Sequence, residues 1–435
     1  MRDQFDLVRR IGRLDPDQAL ITPVVRSIDS GECSVEDLFA ALCASSVTTF
    51  AIASLQAVPV GAGAGALLGM LKKYEEEDRA WGDQVIGVMR RVVVKAAEEG
   101  GHVIKGLANQ SLYPVPQSRH MGDVDLHFPT CDAALGIIKW LRDEGWDWDT
   151  SEFPWLKWHE SGMTYGQLSL ILPGSAEPPA RVDLHFGPFS IGHAELMPLA
   201  GWRPGSALEV PASTPSPESA IALTAAHALN DQMISMKDVN DLHCLTGPDI
   251  DWPTTTELCR GAGAEPVLGR YLVELARAYP DDRPPSLPGA AALGHRKPAP
   301  LPRARAFARH AYRGAISRGQ RRPAAVRLAS DAFRYYRADL APRASSSPAP
   351  LPIPRWRQRH RCWRLLPQQS WAGLAREPMT GQPTREERLA GEMSLILADN
   401  AAVVLVGNDV FVPTLWGDVG PRSTGLAYRL AGDRS

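Results

Sequence analysis

The stretch Gly122-Asp123-Val124-Asp125-Leu126-His127-Phe128 alternates polar and apolar residues in the middle of the chain. That alternation predicts a β-strand over 124–128, because successive side chains of a strand point to opposite faces. Asp123 and Asp125 then stand side by side on one face. Two carboxylates a few ångströms apart repel, and a divalent cation is the usual compensation. Mg²⁺ suits such a pair: it takes hard oxygen ligands from a few carboxylates and completes its shell with water and substrate phosphates. A second stretch of the same texture follows downstream, Arg181-Val182-Asp183-Leu184-His185-Phe186. If the two strands are neighbours, Asp123, Asp125 and Asp183 converge at one end of a small sheet. Three such carboxylates can hold two metal ions, which in turn hold a triphosphate and align an attacking oxygen.

Working upstream, His102-Val103-Ile104-Lys105 predicts a short strand, Gly106 a turn, and 107–112 a helix. Glycine lets the backbone approach a phosphate, and a helix start offers free N–H groups to an anion. Lys105 or Arg119 would add positive charge for the triphosphate. The first hundred residues read as helical. Ser34-Val35-Glu36-Asp37 is a capping box before an apolar run from Leu38 to Leu55, and a second long helix covers Ala64 to Glu99, with a potential break at Trp81-Gly82. The glycines of 61–65 follow no strand, so they read as a turn between helices and not as a phosphate loop.

Downstream, Cys131–Glu144 is an amphipathic helix and Gln167–Leu172 a strand, and 217–229, 237–245 and 265–278 read as helices. Met393–Leu397, Ala402–Val406 and Val410–Pro413 alternate like short strands, with Gly407-Asn408 as a hairpin turn. These readings give an α+β protein: a small mixed β-sheet core flanked by N-terminal and C-terminal helical regions, with a basic C-terminal extension. The divisions are a helical region over 1–99, the core over 100–190, a helical half over 191–280 and a Pro-rich linker over 281–302. A basic helical segment over 303–340, a linker over 341–354 and a basic, then short-stranded region over 355–435 complete the chain.

Composition narrows the function classes. The chain has 435 residues, 44% of them hydrophobic, enough for extensive cores. Its net charge of −2 hides an asymmetry: residues 296–388 hold 21 basic and 5 acidic side chains, the rest 26 basic and 44 acidic. That suggests a polyanionic partner or an internal electrostatic contact. The run Arg355-Trp356-Arg357-Gln358-Arg359-His360-Arg361-Cys362-Trp363-Arg364 interleaves cations and aromatics as nucleic-acid binders do, and the same composition suits an acidic protein or peptide. No apolar run is long enough to span a bilayer, and the first residues lack a signal-like pattern. The six cysteines form no Cys-x-x-Cys pair, so they read as reduced thiols in a cytoplasmic protein. The excess of Arg over Lys, with abundant Ala, Gly and Pro, fits a GC-rich bacterial genome.

The run Val103-Ile104-Lys105-Gly106, then Leu112-Tyr113-Pro114, Arg119 and Gly122-Asp123-Val124-Asp125-Leu126, resembles the uncharacterised nucleotidyltransferase family of the polymerase-β-like superfamily. Arg181-Val182-Asp183-Leu184-His185 is similar to its later strand motif. Ser216-Pro217-Glu218, Ala226-His227 and Lys237-Asp238-Val239-Asn240-Asp241 are similar to its helical signature. The resemblance spans roughly residues 30 to 280. It implies transfer of a nucleoside monophosphate from an NTP, with ATP the default, to an acceptor, with release of pyrophosphate. Asp123 and Asp125 would hold both Mg²⁺ ions, and Asp183 would complete the catalytic one. In the wider superfamily a hydroxyl or second glycine follows the first glycine; here Leu107 does, so Asn109 or Ser111 would take over the phosphate contact.

Several residues carry two readings. His127 and His185 sit two positions after their aspartates, either facing the site or acting as structural hydrogen-bonding neighbours. His227 and Asp231 are spaced like a metal pair, yet Lys237 and Asp241 offer ordinary polar partners; the group either packs helices or lines an acceptor pocket with Arg181. Arg119 either contacts phosphate or fixes its loop. Trp146, Trp148, Trp155 and Trp158 form either a stacking wall or core. The acceptor is a biosynthetic intermediate or peptide, with tRNA second. The rival reading is an inactive adaptor whose basic region, 296–388, recruits RNA or an acidic partner. Phosphoryl transfer at the same metals is a third.

Overall fold

The computed structural model describes residues 4–115, 119–150, 154–158, 164–187, 199, 201–231, 234–247, 249–262, 264–280, 362–372, 385–398, 401–414 and 421–432. Five helices come first: α1 (Gln4–Ile11), α2 (Gln18–Asp29), α3 (Val35–Ala44), α4 (Thr48–Gln56) and α5 (Ala62–Glu98). Ser34 caps α3, its hydroxyl accepting from the Asp37 backbone N–H at 3.1 Å. The apolar run expected as one helix is two, α3 and α4, because the chain turns at Ser46 through a φ of 52°. Conversely, α5 runs unbroken for 37 residues through Trp81-Gly82. Buried Trp81, Val85, Met89 and Val92 anchor that part of the helix and outweigh the cost of its glycines. The stretch 61–65 is the start of α5. The Asp29 carboxylate accepts from the backbone N–H groups of Gly61 and Ala64, both at 2.9 Å, so these helix-start donors are already satisfied.

The central part contains β1 (His102–Val103), α6 (Lys105–Gln110), β2 (Val124–Phe128), α7 (Cys131–Asp143), β3 (Asp147–Trp148), β4 (Trp155–Trp158), β5 (Thr164–Leu172) and β6 (Ala180–Phe186). An antiparallel hairpin follows, β7 (Trp202–Ala207) and β8 (Val210–Pro215), where only helices were expected. Then come α8 (Pro217–Asp231), α9 (Met236–Leu245), α10 (Trp252–Gly261) and α11 (Glu265–Ala278). The last described elements are β9 (Cys362–Leu366), α12 (Gln368–Trp371), β10 (Arg385–Ala390), β11 (Met393–Ala398), β12 (Ala401–Val406), β13 (Asp409–Thr414) and α13 (Pro421–Gly432). The segments expected as linkers over 281–302 and 341–354, the helix over 303–340 and the arginine run up to 361 lie outside the described residues.

Eleven of the described strands form one sheet in the order β1-β2-β6-β5-β4-β9-β13-β12-β11-β10, with β3 beside β5, while β7 and β8 pair only with each other. β2 and β6 run parallel, while their other neighbours are antiparallel. The C-terminal strands therefore extend the central sheet through the β4–β9 pair. Apolar side chains of β2, β6 and α7 share one core with Met393, Leu395, Val404 and Phe411. Arg142, in the last turn of α7, reaches Asp409 on β13 at 3.4 Å. The outer face of the C-terminal strands is covered by α13 and by Trp371. A second core joins α1–α4 and the first half of α5 to α8–α11. The fold is α+β, with the polar face of β2 and β6 left outside both cores.

Candidate active site

In the parallel β2–β6 pair, Asp125 lies opposite Asp183 and His127 opposite His185. On the other side of β6, β5 places Ser169 opposite Asp183 and Gln167 opposite His185. Residues two apart share a face, so these side chains form a polar stripe across three strands. The opposite face carries Val124, Leu126, Phe128, Val182, Leu184 and Phe186, all buried in the core around α7. Burial of that face fixes the register, since a one-residue slip would turn every aspartate into the core. Asp123 precedes β2 directly. Carboxylate oxygens of Asp123, Asp125 and Asp183 lie within 4.8 Å of one another.

Lys105 reaches into this group from the start of α6. Its Nζ donates to Asp125 Oδ1 at 2.6 Å and lies 3.4 Å from His185 Nε2. Its backbone has a φ of 54°, in the left-handed region that non-glycine residues rarely adopt. Burial opposes the lysine's charge, but Asp125, Asp183 and Asp123 outweigh it and raise its pKa. The same balance runs the other way for Asp125: burial opposes its ionisation, and the Lys105 ammonium and the His185 hydrogen bond hold it well below the usual carboxylate range. Asp123 is shifted up, by burial and then by the Asp125 charge, while Lys105, Arg181 and Lys237 pull it back. Thus the Lys105 ammonium touches Asp125 and its charge acts on all three carboxylates.

The two histidines are neutral at physiological pH. Burial and the Lys105 charge push His185 down to about 4; its Nε2 lies 3.3 Å from Asp125 Oδ1. Burial pushes His127 to about 4, partly offset by the Gly187 carbonyl, to which its Nε2 donates at 2.8 Å. His127 also stacks with Trp202 of β7 at 5.4 Å between ring centres, and His102 stacks on the same indole at 3.8 Å.

Arg119, Asn109 and Asp241 assemble into a different cluster. Arg119 donates to Asp241 through both Nε, at 2.7 Å, and Nη2, at 2.6 Å. The Tyr113 hydroxyl donates to the same carboxylate at 2.6 Å, and Asn109 Nδ2 at 3.3 Å. Arg119, Asn109 and Asp241 are all buried. Gly106 belongs to this arrangement: a Cβ there would lie 2.7 Å from Arg119 Nη1. So the glycine makes room for an arginine, and the arginine ties the loop before β2 to α9. Ser111 caps the far end of α6 and is exposed.

Arg181 pairs with buried Asp149 at 2.9 Å and faces the stripe two residues before Asp183. Lys237 on α9 acts on both Asp123 and Asp241, and His227 on α8 acts on His185. The structure therefore brings Lys105 and His185 into contact with Asp125, sets His127 and Arg181 along the same stripe, and turns Asn109 and Arg119 to Asp241, while Lys237 and His227 act on the group through their charges. The side chain of Asp231 lies outside the described residues, as does that of Trp158. Trp146, Trp148 and Trp155 are buried; Trp155 Nε1 donates to Gln167 Oε1 at 3.1 Å. Sequence reasoning missed Ser169, Gln167, Asp149 and Trp202. The alternation Gln167-Leu168-Ser169 is the same period-two signal as the Asp-x-Asp stretch and would have found the first two.

The donor set fits a divalent cation. Three hard carboxylates bring their ligand atoms within 4.8 Å of one another, Asp125 and Asp183 are buried, and Asp125 is held by the Lys105 ammonium at 2.6 Å. Among solved structures, an antigenic nucleotidyltransferase-like protein from Paracoccidioides brasiliensis is similar at 15% identity. The likeness spans 48% of this chain and 92% of that one, with a TM-score of 0.26. No curated protein matches the chain. The sequence profile of the uncharacterised nucleotidyltransferase family matches residues 33–279, which include every residue of the aspartate site. This chain belongs to that family.

Proposed function

We propose that the protein is a Mg²⁺-dependent enzyme that moves a nucleoside monophosphate from an NTP to an acceptor hydroxyl and releases pyrophosphate. The observation that carries this reading is the convergence of Asp123, Asp125 and Asp183 from two adjacent strands. Residues 100–190 carry the chemistry in this reading, and α8 and α9 complete the site. Asp123 and Asp125 would hold two ions, with Asp183 on the catalytic one. When bound, the ions supply charge neutralisation for the triphosphate and polarise its reacting phosphate. The chain's own part is positioning. Arg181 and Lys237, whose charges act on Asp123, would offer positive charge to the triphosphate. Asp183 accepts a hydrogen bond from the acceptor hydroxyl and takes its proton as the new P–O bond forms. The bond from the α-phosphorus to pyrophosphate breaks in the same displacement. Neutral His127 and His185 exclude bulk water from one flank and keep the stripe polar without adding charge.

The acceptor class in this reading is a small biosynthetic intermediate or a peptide, with RNA second, and ATP is the first nucleotide to test. The adaptor alternative depends on residues 296–388, most of which lie outside the described set. Retention of all three carboxylates in one cluster favours turnover over binding alone. The test is pyrophosphate release from each of the four NTPs with Mg²⁺, in the presence of candidate acceptor pools. Mass spectrometry of the product distinguishes an added nucleotide from an added phosphate. Release of pyrophosphate that survives Asp123→Ala, or no release with any NTP and pool, removes the proposal.

A further inference from the structure

We propose that Lys105 is a tethered counter-ion for the metal-free site, an internal cation that the incoming divalent ion must displace from Asp125. This rests on the reading of the aspartates as metal ligands and concerns what occupies them beforehand.

Three observations support it. The first is contact: Lys105 Nζ sits 2.6 Å from Asp125 Oδ1, in a site that Asp123 and Asp183 share. An ion ligated by Asp125 would stand about 2 Å from a carboxylate oxygen, which brings it within about 5 Å of that ammonium. Like charges that close in a site largely removed from water repel strongly. The ammonium and the ion therefore compete for one carboxylate. The second is position: Asp123, Asp125 and Asp183 bring their ligand atoms within 4.8 Å of one another, and Lys105 occupies the one of them, Asp125, that an ion shared by all three would need. The third is cost. Lys105 holds a left-handed backbone, with a φ of 54° that is unfavourable for a non-glycine residue. A residue whose only task was to start α6 would adopt ordinary helical angles. The ion pair with Asp125 is the contact that compensates for this one.

Once displaced, the ammonium lies at the mouth of α6, beside the place a triphosphate would occupy. The lysine would then exchange one anion for another as the loaded nucleotide arrives. A site built this way holds Asp125 in place while empty, at the expense of weaker binding of the free metal.

The test is Mn²⁺ binding without nucleotide, followed by electron paramagnetic resonance, together with melting temperatures in EDTA and in Mn²⁺. K105M and K105Q should bind Mn²⁺ about tenfold more tightly than the wild type. Both should melt lower in EDTA and recover most of the difference in Mn²⁺. K105R, which keeps the charge, should stay close to the wild type in affinity. A variant that folds only with Mn²⁺ present is the extreme form of the same result. Unchanged Mn²⁺ affinity in K105M and K105Q overturns the proposal, as does equal destabilisation with and without the ion, which would mark the lysine as purely structural. If neither the wild type nor the variants bind Mn²⁺, the reading of the aspartates falls and the inference with it. If D123N alone loses Mn²⁺ while K105M is unchanged, only the inference falls.

Discussion

Two buried clusters of carboxylate and cation are reached from α6, one through Lys105 and one through Asn109, and they are built on opposite terms. Around Asp241 every charge is matched: one carboxylate accepts four hydrogen bonds, from Arg119 twice, Tyr113 and Asn109. Around Asp125 the carboxylates crowd one another instead: three bring their oxygens within 4.8 Å, with Lys105 paired to Asp125 and the Arg181 and Lys237 charges acting on Asp123. The Asp241 cluster needs nothing more and holds the loop before β2 to α9. The Asp125 cluster is complete only when positive charge arrives. A matched buried pair is a structural joint, whereas an unmatched one of similar burial is a place prepared for a ligand.

The largest effect should come from breaking the unmatched cluster. Asp123→Ala should lower pyrophosphate release by roughly a thousandfold or more, while the metal-free melting temperature stays level or rises because a like charge has gone. Activity assays and thermal melts on one preparation check both halves. A variant that unfolds would show Asp123 to be structural. The matched cluster should respond in the reverse order. Asp241→Ala leaves the Arg119 guanidinium buried without its partner, which should cost about 3–5 kcal/mol in urea unfolding. Its loss of activity should follow its loss of fold. Gly106→Ala sharpens the comparison at a smaller scale. The new methyl meets Arg119 Nη1 at 2.7 Å, and the arginine must shift against Asp241. We expect destabilisation of about 1–3 kcal/mol with little change in metal affinity.

The unmatched cluster was the legible one. Asp123, Asp125 and Asp183 announce themselves through period-two alternation, and strand neighbours need only pair in register for the carboxylates to meet. The matched cluster was not. Arg119 and Asp241 are 122 positions apart, and nothing in either local stretch says that the loop before β2 will dock on α9. Arg119 in a loop beside Gly106 reads equally well as a phosphate ligand, since a guanidinium suits phosphate and carboxylate alike. The C-terminal strands show the same limit at the level of fold. Their alternation was readable, but their attachment to the central sheet depends on the pairing of 155–158 with 362–366, and backbone pairing leaves no mark in side-chain composition. The β7–β8 hairpin was missed because Trp202–Pro215 is rich in Pro, Gly and Ser and lacks an apolar alternation.

Acid should separate the clusters last and least. The Asp241 carboxyl feels Arg119, Tyr113 and Lys237, with Asp238 and Cys244 also near the group. Burial alone would raise its pKa, but Arg119, with the hydrogen bonds it and Tyr113 donate, brings it below the usual value. A depressed folded-state pKa means that the pair stabilises the fold fully above the unfolded value of about 3.9. That contribution is then lost as pH falls from there through the lower folded-state value. Wild-type stability should therefore drop below pH ~4, whereas Asp241→Asn, already weakened at neutral pH, should have a flatter profile there. Urea midpoints between pH 6 and pH 2.5 measure the difference between the slopes. Parallel slopes would mean that Asp241 contributes little to the acid response, and the matched cluster would then owe its strength to geometry more than to charge.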